Sequence, residues 1–139
     1  MHYDAPPAGQ EAMVRTLAMP KDTNSLGDIF GGWLMAHADM AAAIPAFRRA
    51  GGRVVTVAVN EFQFLKPVYV GDVVSFYAEV DRVGNTSLAV DVTVFSSRSD
   101  GEIEHNVKVA TARITYVHVG HDRRPTPIRP KEISGKLSG

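Results

Sequence analysis

The stretch that most constrains the fold runs from Gly31 to Ala50, with the sequence GGWLMAHADMAAAIPAFRRA. From Trp33 to Phe47 it is apolar on every side of a helical wheel, and its only polar residues there are His37 and Asp39. A helix without a polar face has to be buried, so we expect a long helix at the centre of a core. A membrane span fits less well, because the apolar run is shorter than ~20 residues and contains Asp, His and Pro.

Three residues inside this helix carry specific expectations. Asp39 is a carboxylate in an apolar helix, and such a group is normally paired, neutralised or functional because burying an unpaired charge is costly. His37 lies two positions away on the opposite side of the helix, so it cannot form a dyad with Asp39, and we assign it a structural role. Pro45 removes one backbone hydrogen bond, which predicts a kink or an early end of the helix.

Composition narrows the classes of function. The chain has 139 residues, enough for one domain with its own core. Its 15 basic and 15 acidic residues balance, so we expect no nucleic-acid partner and no membrane partner, while self-association is favoured. The lack of cysteine excludes thiol catalysis and disulfides, and the histidines show no ligand spacing, so we predict no metal. The N-terminus does not look like a signal peptide, and we expect a cytoplasmic protein.

Outside the helix, β-branched residues and polar–apolar alternation predict antiparallel strands. We predict strands over residues 13–19, 53–59, 61–66, 73–82, 87–96 and 106–119, with hairpin turns at Val83–Thr86 and Asp100–Gly101. The result is an α+β domain over residues 13–119, in which a curved antiparallel sheet of about five to six strands wraps one long central helix. One side of a lone wrapped helix stays uncovered, so a second copy of the chain should cover it.

The two ends of the chain contain few residues that could join a core. Residues 1–12 are rich in Pro, Gly and Ala, and we expect a flexible N-terminal arm. Residues 120–139 are rich in Pro, Gly, Arg and Lys, and we expect a flexible C-terminal tail that is either disordered or weakly docked on the domain. Removal of that tail should therefore leave the activity close to normal.

This inventory resembles the hotdog fold, and three motifs make the resemblance more specific. The stretch TLAMPKDTNSLGDIFGGWLMAHAD (Thr16 to Asp39), followed by RVVTVAV and by FLKPVYVGD (Phe64 to Asp72), is similar to the YciA-type acyl-CoA thioesterases, bacterial relatives of the brain acyl-CoA hydrolases. The resemblance implies hydrolysis of acyl-CoA to free fatty acid and coenzyme A, with no cofactor beyond the coenzyme A of the substrate. It also implies a homo-oligomer, a dimer with shared sites assembled into a hexameric trimer of dimers.

The resemblance also assigns roles to residues. Asp39 stands where the family has its essential helix carboxylate, which acts as a general base or as a nucleophile that forms a mixed anhydride. Asn24 stands where the family has an essential loop amide. Gly32 and Trp33 occupy the helix start, where backbone N–H groups form the oxyanion hole. Thr86 and Ser87 lie where related hotdog enzymes contact the nucleotide end of coenzyme A.

Helix geometry adds a constraint on how such a site could be built. Asp39 lies seven residues past Gly32, so the two are ~10 Å apart along one helix. A base and an oxyanion donor that serve one thioester must both lie within ~3–4 Å of its carbon or of the attacking water. We therefore expect antiparallel pairing of two helices, which would set Gly32 and Asn24 of one chain beside Asp39 of the other.

Two other functions are compatible with the same fold. An acyl-thioester dehydratase or hydratase would combine a histidine with a helix acid, but His37 is wrongly placed for that role. A non-catalytic acyl-CoA-binding module would need an effector element, and no additional domain or helix-turn-helix pattern is present. Release of free coenzyme A from acyl-CoA, followed with a thiol reagent, separates these alternatives from a hydrolase.

Overall fold

The computed structural model describes residues 4–99, 101 and 103–130, and it contains one α-helix and five β-strands in these ranges. In chain order they are β1 (Val14–Leu17), α1 (Gly31–Ala50), β2 (Val54–Phe64), β3 (Val73–Val83), β4 (Ser87–Ser99) and β5 (Glu104–His118), with one 3-10 turn (Pro20–Asp22) before α1. The predicted α+β architecture of one long helix and about five to six strands is confirmed.

All strand pairs of the sheet are antiparallel, and the order is β1-β3-β4-β5-β2. The helix packs across one face of the sheet and contacts every strand. The two strands predicted over residues 53–59 and 61–66 form the single strand β2, because two register irregularities, at Thr56/Ala58 and at Val59/Glu61, absorb the break in the pattern. The predicted turn at Val83–Thr86 is confirmed, and its Gly84 N–H donates to the Ser87 carbonyl at 2.7 Å.

The helix begins and ends where the sequence predicts. It ends at Gly51, which has a left-handed φ of 74° and donates its N–H to the Phe47 carbonyl at 3.0 Å. Pro45 does not end it early, since a single missing hydrogen bond is tolerated in a helix packed on a sheet. The buried side is built mainly from alanine, which brings the helix backbone close to the sheet; its residues are Leu34, Ala38, Ala41, Ala42, Ala46 and Ala50.

The opposite side of α1 is not covered within one chain. We call Gly32, Met35, Asp39, Met40 and Phe47 the open face, because these residues lie on one side of the helix and include exposed methionine and phenylalanine. The side chains of Met40 and Phe47 are 52% and 56% exposed. The prediction that one side of the helix stays uncovered in a single chain is thus confirmed.

Both ends of the chain make contacts that the sequence did not predict. Asp4 lies within the predicted arm, yet its N–H donates to the Asn106 carbonyl at 2.9 Å and its carboxylate accepts from Lys108 N–H at 2.8 Å. Residues 120–130 of the predicted flexible tail fold back on the domain, where Ile128 is buried and donates its N–H to the Asn85 carbonyl at 2.7 Å. The remaining parts of arm and tail, residues 1–3 and 131–139, and Asp100 of the second predicted turn lie outside the described residues.

Among the described residues, none of the helices is long and apolar enough to cross a membrane.

Candidate active site

Two hydroxyl groups fix the carboxylate of Asp39. The Thr56 hydroxyl donates to Asp39 Oδ1 at 2.7 Å. The Tyr116 hydroxyl lies 2.7 Å from the same oxygen and 2.7 Å from the backbone carbonyl of Asp39. The other carboxylate oxygen, Oδ2, has no hydrogen-bond partner among the described residues. Asp39 is therefore held in one orientation by Oδ1 and keeps Oδ2 for a water molecule or a substrate on the open face.

The sheet brings these two hydroxyls together through strand register. Thr56 in β2 and Tyr116 in β5 are direct cross-strand partners, and β2 is irregular immediately after Thr56. Irregularities of this kind re-aim side chains and are common next to active sites. The local distortion of β2 therefore coincides with the point where the sheet supports the helix carboxylate.

Tyr116 is a hydrogen-bond donor rather than a base. Burial raises the pKa of its phenol well above the ordinary value, and the hydrogen bond to the Asp39 carboxylate raises this pKa further. The phenol thus stays protonated across the physiological range. Its proton is available to hold Asp39, and the phenol itself does not act as a base.

Asn24 lies in the loop before the helix, and its side-chain oxygen accepts two backbone hydrogen bonds. Its Oδ1 accepts from the N–H of Leu26 at 2.8 Å and of Asp28 at 3.1 Å, which closes an Asx-type turn. The side-chain NH2 group has no acceptor in the described part of the chain. Asn24 lines a cleft of about 420 Å³ beside Gly31 and Phe64, so this NH2 group can meet a ligand there.

The loop that carries Asn24 is supported by the neighbouring loop between β2 and β3. Ile29 N–H donates to the Val68 carbonyl at 2.9 Å. That second loop is in turn clamped by Arg98, whose Nε donates to the buried Asp72 at 3.0 Å and whose Nη2 donates to the Pro67 carbonyl at 2.7 Å. Arg98 therefore supports the Asn24 loop indirectly, through the loop between β2 and β3, and does not itself line the cleft.

The two predicted oxyanion donors differ in availability. The N–H of Trp33 already donates to the Phe30 carbonyl at 3.1 Å. The N–H of Gly32 has no acceptor among the residues that the structure describes, as expected for the first turn of a helix. A Cβ atom on Gly31 would lie 2.9 Å from the Phe64 ring, whereas one on Gly32 would meet nothing within 4 Å. Glycine is thus required at position 31 because a side chain there would collide with Phe64. Of the two predicted oxyanion donors, Gly32 and Trp33, Gly32 is the one whose N–H remains available within the described residues.

One chain does not assemble all predicted site residues. Gly32 and Asp39 share the open face but lie ~10 Å apart along the helix. No hydrogen bond joins Asn24 to Asp39 within residues 4–99, 101 and 103–130. His37 points away from the carboxylate: its Nδ1 lies 2.8 Å from the Trp33 carbonyl, and its ring contacts the Trp33 ring at a centroid distance of 4.4 Å. The carboxylate and the loop amide therefore form two separate half-sites.

Thr86 and Ser87 lie at the other end of the domain from Asn24, in the turn between β3 and β4. Their backbone carbonyls accept hydrogen bonds from the N–H groups of His118 at 2.8 Å and Gly84 at 2.7 Å. Their contact with coenzyme A stays a prediction. Within the described residues, no group of three or more His, Cys, Asp or Glu side chains could hold a metal ion.

Thr56 and Tyr116 are the contributors that sequence reasoning missed. Thr56 is the one polar residue in the stretch VVTVAV, and Tyr116 is an aromatic hydroxyl on the buried, largely apolar face of β5. A buried tyrosine hydroxyl usually has a hydrogen-bond partner, so both residues offered a weak signal. Their pairing with each other depends on strand register.

This arrangement, a curved sheet around a helix that carries a supported carboxylate, defines a hotdog-fold thioesterase. Residues 26–103 match the family model of the Thioesterase superfamily. The acyl-CoA thioester hydrolase YciA of Salmonella typhimurium is 47% identical over 126 residues, which are 90% of this chain and 94% of that protein. The hexameric hotdog fold thioesterase of Campylobacter jejuni is 40% identical, with a TM-score of 0.82 over 87% of this chain and 91% of that one. The chain belongs to the thioesterase superfamily and, within it, to the YciA acyl-CoA thioester hydrolases.

A more distant structure bears on individual residues. The acyl-CoA hydrolase of Staphylococcus aureus, solved with butyryl coenzyme A and coenzyme A, is 30% identical, with a TM-score of 0.75 over 86% of this chain and 74% of that one. Alanine variants of that enzyme have been solved at an asparagine, an aspartate and a threonine, which are separated by 15 and then 17 residues. Asn24, Asp39 and Thr56 show the same separations of 15 and 17 residues.

Proposed function

We propose that this protein hydrolyses acyl-CoA thioesters to a free fatty acid and coenzyme A, at sites that each combine residues of two chains. The observation that carries the proposal is the carboxylate of Asp39, which is held by Thr56 and Tyr116 and keeps one oxygen free on the open face. A cytoplasmic location and the lack of any cofactor beyond the substrate remain parts of this proposal.

Asp39 starts the chemistry in one of two ways. As a general base, Oδ2 takes a proton from water while the water oxygen attacks the thioester carbon. As a nucleophile, Oδ2 attacks that carbon itself and forms a mixed anhydride, which water then hydrolyses. In both cases the carbon–sulfur bond breaks, and coenzyme A leaves as a thiolate that takes up a proton. The hydrogen bonds from Thr56 and Tyr116 keep Oδ2 pointed at the substrate in either case.

The partner subunit supplies the oxyanion donor in this proposal. The N–H of Gly32 has no acceptor in the described part of the chain, sits at the positive end of the helix dipole and has open space around its Cα. Antiparallel packing of two open faces would bring this N–H to the thioester oxygen above Asp39 of the other chain. Asn24 would then contribute its side-chain NH2 from the same partner loop, and Thr86 and Ser87 would contact the nucleotide end of coenzyme A.

The exposed surface fits such a dimer. The open face is apolar apart from Asp39, and the edge strand β2 beside it exposes Val57 and Val59, which are 54% and 39% exposed. Burial of this surface by a second copy would extend the sheet across β2 and cover the helix. The Campylobacter relative is hexameric, and we propose the same assembly here, three dimers in a hexamer.

The separations in the Staphylococcus hydrolase support the residue roles. Its three alanine variants are spaced along the chain as Asn24, Asp39 and Thr56 are here. Thr56 was not among the residues that the sequence predicts for the site, and its hydroxyl contacts Asp39 directly. We therefore propose that Thr56 orients the carboxylate.

Activity is tested by following free coenzyme A with a thiol reagent across acyl-CoA substrates of increasing chain length. We expect steady turnover, and the absence of turnover on every substrate would refute the proposal. Asp39→Asn and Asn24→Ala should each nearly abolish turnover with the fold retained. Arg15→Gln, at the opposite edge of the sheet, is a matched surface control that should keep full activity.

Shared sites are tested by mixing the two inactive variants under conditions in which subunits exchange. A mixed dimer of Asp39→Asn and Asn24→Ala has one site with both residues intact, so up to about half of the activity of a wild-type dimer should return per mixed dimer. Exchange is verified with subunits that carry tags of different mass. If exchange occurs and no activity returns, the two residues act within one chain.

A further inference from the structure

Arg98 holds the loop between β2 and β3 at three points. Its Nε donates to Asp72 Oδ2 at 3.0 Å, and its Nη2 donates to the Pro67 carbonyl at 2.7 Å. Its guanidinium also lies 4.8 Å from the centre of the Tyr69 ring, and the Tyr69 N–H donates to the same Asp72 oxygen at 3.0 Å. We call these four residues, Arg98, Asp72, Pro67 and Tyr69, the clamp. Because Pro67 and Asp72 lie near the two ends of the loop, one guanidinium fixes most of its course.

Arginine is the side chain that suits this arrangement. Its planar fork donates in two directions at once and stacks on an aromatic ring, whereas the ammonium group of lysine is a point charge on a flexible stem. The side chain of Asp72 is 6% exposed and that of Arg98 is 29% exposed, so the carboxylate is largely removed from water and depends on its partner. A lysine at position 98 would keep the charge but not all three contacts.

The clamped loop is joined to the loop that carries Asn24. Tyr69 lies opposite Asp28 in an isolated antiparallel bridge, next to the hydrogen bond from the Ile29 N–H to the Val68 carbonyl. Asp28 makes two backbone contacts with Asn24: its N–H donates to Asn24 Oδ1 at 3.1 Å, and its carbonyl accepts from the Asn24 N–H at 2.7 Å. The bridge and the Asx-type turn thus connect the clamp with the side chain of Asn24.

The Asn24 loop has few buried contacts of its own. Within residues 23–30, Ile29 is the one buried residue, and Leu26 is 84% exposed. Loops with few buried contacts open locally at a low cost in free energy. In the proposed site the Asn24 NH2 group has to meet the substrate, and a displacement of about 1 Å in an active site can lower the rate about 100-fold. The orientation of this group therefore depends on the support that its loop receives from the clamp.

We propose that Arg98 is a positioning residue for thioester hydrolysis, because the clamp holds the Asn24 amide in its reactive orientation; this inference rests on the proposed function. Arg98 itself does not line the cleft beside Asn24. Its backbone pairs with His105 in the ladder between β4 and β5, so the sheet persists when the guanidinium is removed. Loss of the Arg98 side chain therefore acts on the loops and not on the sheet.

The kinetic test uses Arg98→Met, Arg98→Lys and a matched control, Arg113→Met. Arg113 is comparable because its side chain is 32% exposed and pairs with two carboxylates, those of Asp81 and Asp91. For Arg98→Met we expect kcat to fall about 20-fold, with KM changed less than about three-fold. Arg98→Lys should recover kcat to within about five-fold of wild type, because it keeps the charge beside Asp72. Arg113→Met should keep the wild-type kcat.

A second measurement separates positioning from general damage. Arg98→Met is combined with Asn24→Ala, and the residual turnover is measured at high enzyme concentration. If Arg98 acts through Asn24, its removal should change this residual kcat less than about two-fold, since no amide is left to orient. A merely structural role would multiply the two losses, so a further fall of about 20-fold in the combined variant would overturn the inference.

Hydrogen exchange followed by mass spectrometry tests the clamp without any substrate. In Arg98→Met the backbone amides of residues 24–29 should exchange at least about ten-fold faster, while those of α1 keep their wild-type rate. The same amides should be unaffected in Arg113→Met. Unchanged exchange or an unchanged kcat in Arg98→Met would overturn the inference. If wild type hydrolyses no thioester while the exchange responds as expected, the proposed function is refuted and the clamp on the loop stands, so the two failures are distinguishable.

Discussion

Substitution of Tyr116 by phenylalanine removes one hydroxyl from behind the carboxylate of Asp39. The ring remains, so the core keeps its shape, and Asp39 keeps the hydrogen bond from Thr56. What disappears is a hydroxyl that lies 2.7 Å from Oδ1 and 2.7 Å from the backbone carbonyl of Asp39. The variant therefore isolates the contribution of one buried hydroxyl to stability and to catalysis.

The size of both effects follows from the geometry. A hydrogen bond to a charged acceptor contributes about 1.5–2 kcal/mol to stability. With an unfolding entropy of about 2.1 cal/mol/K per residue, a chain of this length should lose about 5–7 °C in Tm. A carboxylate with one support instead of two also samples unproductive orientations, and we expect kcat to fall about ten-fold. KM should change little, because Tyr116 lies behind Asp39.

The measurements are thermal unfolding by circular dichroism and release of coenzyme A followed with a thiol reagent. Tyr77→Phe is the matched control: Tyr77 is buried and stacks edge-on against Phe95, and its hydroxyl has no hydrogen bond among the described residues. That variant should keep both Tm and kcat. If Tyr116→Phe also keeps both, the hydroxyl does not hold Asp39 and the account of the site is wrong.

Three further predictions follow from other contacts. Removal of residues 120–139 takes away the buried Ile128 and its hydrogen bond to Asn85 and should lower Tm by about 5–10 °C, whereas an unchanged Tm would show that the segment adds nothing to stability. Arg98→Met leaves the buried Asp72 unpaired and should cost about 2–3 kcal/mol in chemical denaturation, whereas Arg98→Lys should recover part of it. Because the pKa of Tyr116 is raised above 10.0, its contribution to stability is complete below pH ~10 and is lost at higher pH as the unfolded phenol ionises, so unfolding experiments should show a shallower alkaline loss in Tyr116→Phe.

The helix and the sheet were predictable because each follows from a local pattern. The apolar run and its glycine borders fix α1, and alternation fixes β3 and β4. The sequence predicts two strands in place of β2 because Asn60 and Glu61 interrupt the apolar pattern. In the structure the strand continues through these residues, because its pairing with β5 tolerates two register irregularities. A pattern in one segment cannot show that its partner strand will accommodate such a break.

The site was predictable only in part, for the same reason. Asp39 is conspicuous because a carboxylate in an apolar helix needs an explanation, whereas Thr56 and Tyr116 become supports only when β2 and β5 pair at that register. From the sequence, the backbone N–H groups of Gly32 and Trp33 are equally good candidates for the oxyanion hole. They are distinguished by the hydrogen bond that the Trp33 N–H donates to the Phe30 carbonyl in the structure.

The docked C-terminal segment shows what composition leaves open. Residues 120–130 contain few apolar side chains, so an estimate from burial alone predicts that ordering them is unfavourable. Their order depends instead on backbone hydrogen bonds to His118 and Asn85 and on one buried isoleucine, Ile128. Such contacts require the burial of few side chains, so the polar side chains of the segment stay exposed.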